Sequence, residues 1–241
     1  MLGRTGASAT GQSAAVGTIA TIAGGGSGGV GSPALQGAIK ALDLTLGPDG
    51  TVFFTNITCP EALRNGAIAS AGQAGCSPDD ALPYGAAGSL FGIAVDSDSN
   101  VYAADWNRCR IWRFEALTGA ATIMAGSHNN NSCSGPSDDN VPATSTNVGE
   151  LTSVAVAPNG DIYLSDERCQ VRRVSSGVVV TIAGVEVASG TCVDDGTEGQ
   201  ATSVHLGAIT SLELDSDGSL NIAAGCRIRK LQLGALTTVE V

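Results

Sequence analysis

Hydrophobic residues recur along this chain in short alternating runs separated by Gly, Asp, Asn and Pro. The run Leu151–Val156 alternates with the period of two that marks a half-buried strand. Pro158-Asn159-Gly160 then predicts a tight turn, because Asn-Gly accepts the positive φ that short hairpins need. Asp161–Leu164 reads as the partner strand, Ser165–Arg168 as a polar loop, Cys169–Val174 as a third strand and Val178–Ala183 as a fourth. The same order recurs in Gly92–Phe114, GIAVDSDSNVYAADWNRCRIWRF, and in Ser211–Leu231, SLELDSDGSLNIAAGCRIRKL. A more divergent copy runs from Leu42 to Asn56 and on to Cys59. Turns recur at Asp49-Gly50, Asp98-Ser99 and Asp217-Gly218, and the fourth-strand runs tend to end in Ala-Gly, as at 68–72, 122–126 and 181–184. Helical periodicity is absent apart from one potential turn at Pro60–Arg64.

Four short antiparallel strands per unit, repeated at long intervals, predict an all-β fold, a β-propeller of four-stranded blades. The expected boundaries are a flexible lead over 1–15 and a propeller over 16–241, with repeats at approximately 25–72, 73–126, 127–184 and 185–241. The string G-I-A-V-D-S-D-x-N-V-Y-x-A-D, followed by R-I-x-R and T-I-A-G, resembles the NHL repeat, and the resemblance runs from Ile19 to Val241. It implies a toroid of radial sheets that usually serves as a binding scaffold. NHL-like lyases hold a channel metal with several histidines. This chain has two, His128 and His205, with no spaced partners.

The repeat count leaves a remainder. Val16–Ala23 reads as a fourth-type strand with no first three before it, yet the last repeat already has its own fourth strand at Leu236–Val241. The expected solutions are a closed four-bladed ring with one strand displaced, a part of a larger propeller, or strand addition between copies.

Seven cysteines form two series. Cys59, Cys109, Cys169 and Cys226 open third strands, and Cys76, Cys133 and Cys192 follow fourth strands. Adjacency of the third and fourth strands favours Cys59–Cys76, Cys109–Cys133 and Cys169–Cys192, with Cys226 unpaired or intermolecular. The alternative register, Cys76–Cys109, Cys133–Cys169 and Cys192–Cys226, stays open, because connectivity is not fixed by spacing. Periodic cysteines imply an oxidising compartment. The sequons at Asn56 and Asn130 add candidate N-glycosylation sites, so the expected location is extracellular or the cell surface.

A net charge of −11 argues against nucleic acid as a partner. The basic residues cluster on third strands, at Arg110, Arg113, Arg172, Arg173, Arg227, Arg229 and Lys230, and read as an exposed face paired with carboxylates. No apolar run is long enough to span a bilayer. Paired carboxylates at Asp79-Asp80, Asp138-Asp139 and Asp194-Asp195 read as turn-forming or solubilising, with calcium as the alternative cofactor reading. Trp106, with Asp105 beside it, is the candidate recognition aromatic, and Trp112 reads as packing. No nucleophile elbow accompanies the serines. The expectation is therefore a non-enzymatic extracellular scaffold that binds protein, including further copies of itself in a filament or matrix. The alternatives are a carbohydrate-binding propeller and a propeller-class lyase or hydrolase.

Overall fold

A computed structural model describes residues 19–56, 59–71, 89–127, 133, 137–187, 191–232 and 235–238. The expected repeats appear as four antiparallel sheets. Sheet 1 holds β1 (Ala41–Leu46), β2 (Val52–Asn56), β3 (Cys59–Arg64) and β4 (Ala67–Ser70). Sheet 2 holds β5 (Leu90–Val95), β6 (Val101–Asp105), β7 (Arg110–Phe114) and β8 (Ala121–Ala125). In sheet 3, β9 (Val141–Pro142) caps the outer edge of β10 (Leu151–Val156), β11 (Ile162–Asp166), β12 (Val171–Ser175) and β13 (Val178–Ala183). In sheet 4, β14 (Gly199–Gln200) does the same for β15 (Ile209–Leu214), β16 (Leu220–Ala224), β17 (Arg227–Gln232) and β18 (Ala235–Thr238). Pro60–Arg64, a potential helical turn by sequence, lies in β3, because pairing to both β2 and β4 outweighs the local preference.

The repeat extends to fine detail. Every first strand slips register near its start, between Ala41 and Leu44, Leu90 and Gly92, Leu151 and Ser153, and Ile209 and Ser211. The first hairpins are wider than the two-residue turn the Asn-Gly and Asp-Gly pairs suggest. Each is closed by a main-chain bond of the kind Ala157 N to Asp161 O, at 2.9 Å in sheet 3. The positive-φ position comes late in the loop, at Gly50, Gly160 and Gly218, and at Ser99 with φ of 64°.

Side chains from consecutive sheets interleave in three apolar clusters. Phe53 and Ala62 of sheet 1 meet Ile93, Ala103 and Trp112 of sheet 2. Ala94 and Ile111 meet Val154, Ile162 and Leu164. Ala155 and Val171 meet Leu212, Leu220 and Ile222. The inner strands β1, β5, β10 and β15 thus succeed one another around one axis. Gly92 lets β5 approach β10, since a Cβ there would stand 2.8 Å from the Cα of Ser153. Elsewhere a side chain ties neighbouring inner strands: Asp43 accepts from Ile93 N at 3.0 Å and Ser153 Oγ from Leu212 N at 3.0 Å.

The outermost faces differ from these interfaces. Ile93, Val154 and Leu212 are buried at the position where sheet 1 exposes 63% of Leu44. Ile111 and Val171 are fully buried where sheet 4 exposes 47% of Ile228. Val16–Ala23, predicted as a strand, is not one over its described part, Ile19–Ala23. Gly24 nevertheless takes the place that Gly126 and Gly184 hold after β8 and β13. All three have positive φ, and all three donate to a buried alanine of the next sheet's lead-in: Ala34, Ala143 and Ala201. Thr21–Gly24 therefore sits where the last strand of a preceding sheet would end, and lacks the third strand that would pair with it among the described residues.

Candidate functional site

Second strands hand over to third strands at one edge of the molecule, and a single main-chain bond builds that edge. Trp106 N donates to Ser89 O at 2.9 Å, Glu167 N to Glu150 O at 3.0 Å and Gly225 N to Ala208 O at 2.9 Å. Each bond pins the loop to the residue just before an inner strand. The side chains carried on this constant frame differ: Ser89 with Trp106, Glu150 with Glu167, Ala208 with Gly225.

Disulfides staple the same edge. Cys109–Cys133 and Cys169–Cys192 are formed, with Cα separations of 5.5 and 5.7 Å, in the register that strand adjacency favours. Cys109 and Cys169 both have positive φ, at 54° and 68°, which turns each loop sharply into its third strand. Cys59 is buried at the start of β3, and its predicted partner Cys76 lies outside the described residues. Cys226 is exposed and has no disulfide partner among the described residues.

Trp106 is half-buried and packs on Phe91, with ring centroids 4.9 Å apart. Asp105, predicted beside it as a ligand group, is fully buried instead, and its Oδ2 accepts from Trp112 Nε1 at 3.2 Å. Trp112 is a core residue, as expected. In sheet 3 the corresponding Asp166 is buried too. Its Oδ1 accepts from Arg168 N and Gln170 N, while Oδ2 has no hydrogen-bond partner among the described residues. Burial outweighs those two bonds and pushes its carboxyl up to about 7. At the surface, Glu150 is also pushed up, first by burial and then by its hydrogen bond to Glu167 and the charge there.

The third-strand cations are only partly the exposed face expected of them. Arg110, Arg172 and Arg229 are buried. Arg172 donates to Ser137 Oγ at 2.6 Å, Asn147 O at 3.0 Å, Asp138 O at 2.6 Å and Asp139 Oδ1 at 2.9 Å. Arg229 reaches Asp194 and the carbonyl of Thr197 in the same way. Burial removes water from these guanidiniums, and Arg172 and Arg229 each fold an acidic loop around their terminal nitrogens. Sequence reasoning missed this role; the available signal was that Arg172 and Arg229 align with Trp112.

Asp139 and Asp194 are thus counter-ions of buried arginines, and Asp195 accepts from Thr197. Among the described residues no group of three or more His, Cys, Asp or Glu is arranged to hold a metal. Asp79, Asp80, His128 and Asn130 lie outside the described residues. His205 is exposed. Asn56, predicted in an exposed loop, ends β2, is half-buried and accepts from Lys40 N at 3.3 Å, because the strand runs on to the sequon. No described helix is long and apolar enough to cross a membrane.

No family model and no curated protein matches the chain. Solved structures do. A Bacteroides thetaiotaomicron structural-genomics protein of unknown function aligns at TM-score 0.59 and 18% identity, over 85% of this chain and 48% of that one. An auxiliary nutrient binding protein from the same organism aligns at 0.56 and 12%, over 85% and 48%. Virginiamycin B lyase from Staphylococcus aureus aligns at 0.50 and 13%, over 82% and 54%. The four radial sheets and these neighbours together decide the architecture. The fold is a four-blade β-propeller. The chain spans about half the length of these neighbours. At such identities the likeness is one of fold, and the propeller's resemblance to NHL repeats remains one of sequence pattern.

Proposed function

We propose that this propeller is a non-enzymatic extracellular scaffold that binds protein partners across its disulfide-stapled loop edge. The observation that carries this reading is the repeated main-chain bond at Trp106, Glu167 and Gly225, which holds different side chains in equivalent places. A constant frame with variable groups suits recognition, since loops on a rigid scaffold can change without cost to the fold. The formed disulfides support an oxidising location.

Self-association belongs to the same proposal. The outer face of blade 1 offers Leu44, and that of blade 4 offers Ile228, at positions buried between the other blades, with Leu46 exposed beside Leu44. A head-to-tail contact of these faces repeats the interface already used three times within the chain and builds a filament unless its rotation closes.

The partner reading is tested with p-benzoylphenylalanine placed at position 106 and, as control, at the exposed opposite-edge position 117. Cross-links to extracellular proteins from 106 and not from 117 are expected. Glycan-array binding lost in Trp106→Ala, without protein cross-links, would replace the proposal with a carbohydrate one. For assembly, sedimentation should show oligomers that disappear in Leu44→Glu, and monomers at every concentration would end that part of the reading.

A further inference from the structure

Blades 2, 3 and 4 each place a cation at the same point of the third strand: Arg113, Arg173 and Lys230. In blade 2, Arg113 pairs with Glu115 at 3.1 Å, and the adjoining Tyr102 hydroxyl lies 3.3 Å from Asp96 Oδ2 and donates to it. In blade 4, Lys230 pairs with Asp215 at 3.1 Å and Asp217 at 3.3 Å. Blade 3 keeps the pair, as Tyr163 opposite Arg173 across β11 and β12, but loses the partners. Ala157 stands where Asp96 and Asp215 do, and Ser175 stands where Glu115 does.

The consequence is visible at Arg173. Its nearest carboxylate, Asp161 Oδ2, is 4.0 Å away and already accepts from Asn159 Nδ2 at 3.1 Å. Arg173 Nε is shielded from solvent and has no hydrogen-bond partner among the described residues. Arg172 and Arg229 share an unpartnered Nε among the described residues, but acidic loops hold their terminal nitrogens, whereas those of Arg173 reach only Asp161.

Arg173 and Tyr163 form one wall of a cavity of about 490 Å³ between blades 3 and 4. Ile182, Leu220 and Leu231 supply its apolar lining, and Gln200 and Thr202 add polar groups. Small-molecule sites combine a largely apolar lining of this size with a few polar groups that fix orientation. A guanidinium is a planar donor fork that matches a carboxylate. The geometry points to a site for a small amphipathic carboxylate, its acid group on Arg173 and its apolar body beside the Tyr163 ring, over the leucines. This groove lies on the flank of the propeller and is separate from the loop edge.

The test uses the full chain and two probes of equal shape, 3-phenylpropionate and the uncharged 3-phenylpropan-1-ol, titrated by calorimetry and by protein-observed NMR. The acid should bind saturably and shift signals of Tyr163 and Leu220, and the alcohol should bind about tenfold or more weakly, as expected for losing a charged hydrogen-bond pair. Arg173→Gln should lower affinity for the acid by about the same factor. Ser175→Glu leaves the arginine in place but restores blade 2's counter-ion, so it should compete with the ligand and weaken binding of the acid alone. No saturable binding, equal binding of the two probes, or unchanged affinity in Ser175→Glu would overturn the site. The last variant keeps the test decisive if Arg173→Gln fails to fold.

Discussion

Blades 2 and 3 share register, turns, disulfide and loop-edge bond, yet they spend corresponding side chains differently. Trp112 and Arg172 occupy one position, and both are fully buried. The tryptophan fills its space with apolar surface and closes on Asp105 with one hydrogen bond. The arginine fills it with a charge and gathers Ser137, Asp138, Asp139 and Asn147 around that charge. At the loop edge Trp106 of one blade answers Glu167 of the other, and on the flank a paired Arg113 answers the under-paired Arg173. Backbone architecture and side-chain chemistry are therefore separable here, which is what a scaffold with independent surfaces requires.

The hardest way to break the comparison is at the shared buried position. Trp112→Ala should cost about 4 kcal/mol by opening a cavity between blades 1 and 2. Arg172→Ala should cost about 3 kcal/mol, by orphaning the carbonyls and the carboxylate that the guanidinium holds. Urea denaturation measures both. A cost below about 1 kcal/mol for Arg172→Ala would mean that the acidic loop finds water instead, and that the two residues are not equivalent supports.

Next in size are the staples. The two loops are nearly equal in length, with separations of 24 and 23 residues, so chain entropy assigns them equal worth. Cys109→Ala with Cys133→Ala, and Cys169→Ala with Cys192→Ala, should each lose about 3 kcal/mol. A large difference between the two would show that one loop holds its shape without the covalent bond, and the Arg172 network makes blade 3 the candidate for that.

The strands and the disulfide register were legible because both rest on local signals, a period of two and the adjacency of consecutive strands. The Ala-Gly endings were legible as motifs but not as joints: what Gly126 and Gly184 do is donate to Ala143 and Ala201 of the next blade, a contact that no local pattern announces. Arg172 and Arg229 read as surface residues because charge is a good proxy for exposure until a loop distant in sequence encloses it. Asp105 read as accessible because its neighbour Trp106 is in a loop, yet it is the last residue of β6 and points inward. The flank groove was invisible for the same reason. It depends on what is missing from blade 3, Ala157 and Ser175 in place of acids, and an absence acquires meaning only once the blades are superposed.

A smaller contrast concerns protons. Asp166, held up at about 7 by burial, would ionise near 3.8 when unfolded. The folded state therefore keeps a proton that the unfolded state has lost between those values. The stabilisation is complete below about pH 3.8 and drains away as pH rises through 7, at up to about 1.4 kcal/mol per pH unit. Asp166→Asn should flatten the stability curve in that window, whereas Asp105→Asn should leave the Asp166-driven slope in place. Denaturation midpoints at pH 4, 5, 6 and 7 measure both, and an unchanged slope in Asp166→Asn would assign the pH dependence elsewhere.

The smallest effect sharpens the comparison most. Glu115→Ser gives blade 2 the residue that blade 3 has, and removes an ion pair whose side chains are 28% and 37% exposed. Such pairs contribute little, so stability should change by less than about 0.5 kcal/mol. Arg113 would then lose its counter-ion, but the adjoining Tyr102 remains buried and bound to Asp96, so blade 2 should still fail to take up 3-phenylpropionate. Binding gained at blade 2 by this single change would show that an under-paired arginine suffices. Binding that appears only when Asp96→Ala is added would show that the tyrosine must be released as well, and that blade 3 acquired its groove by losing two acids.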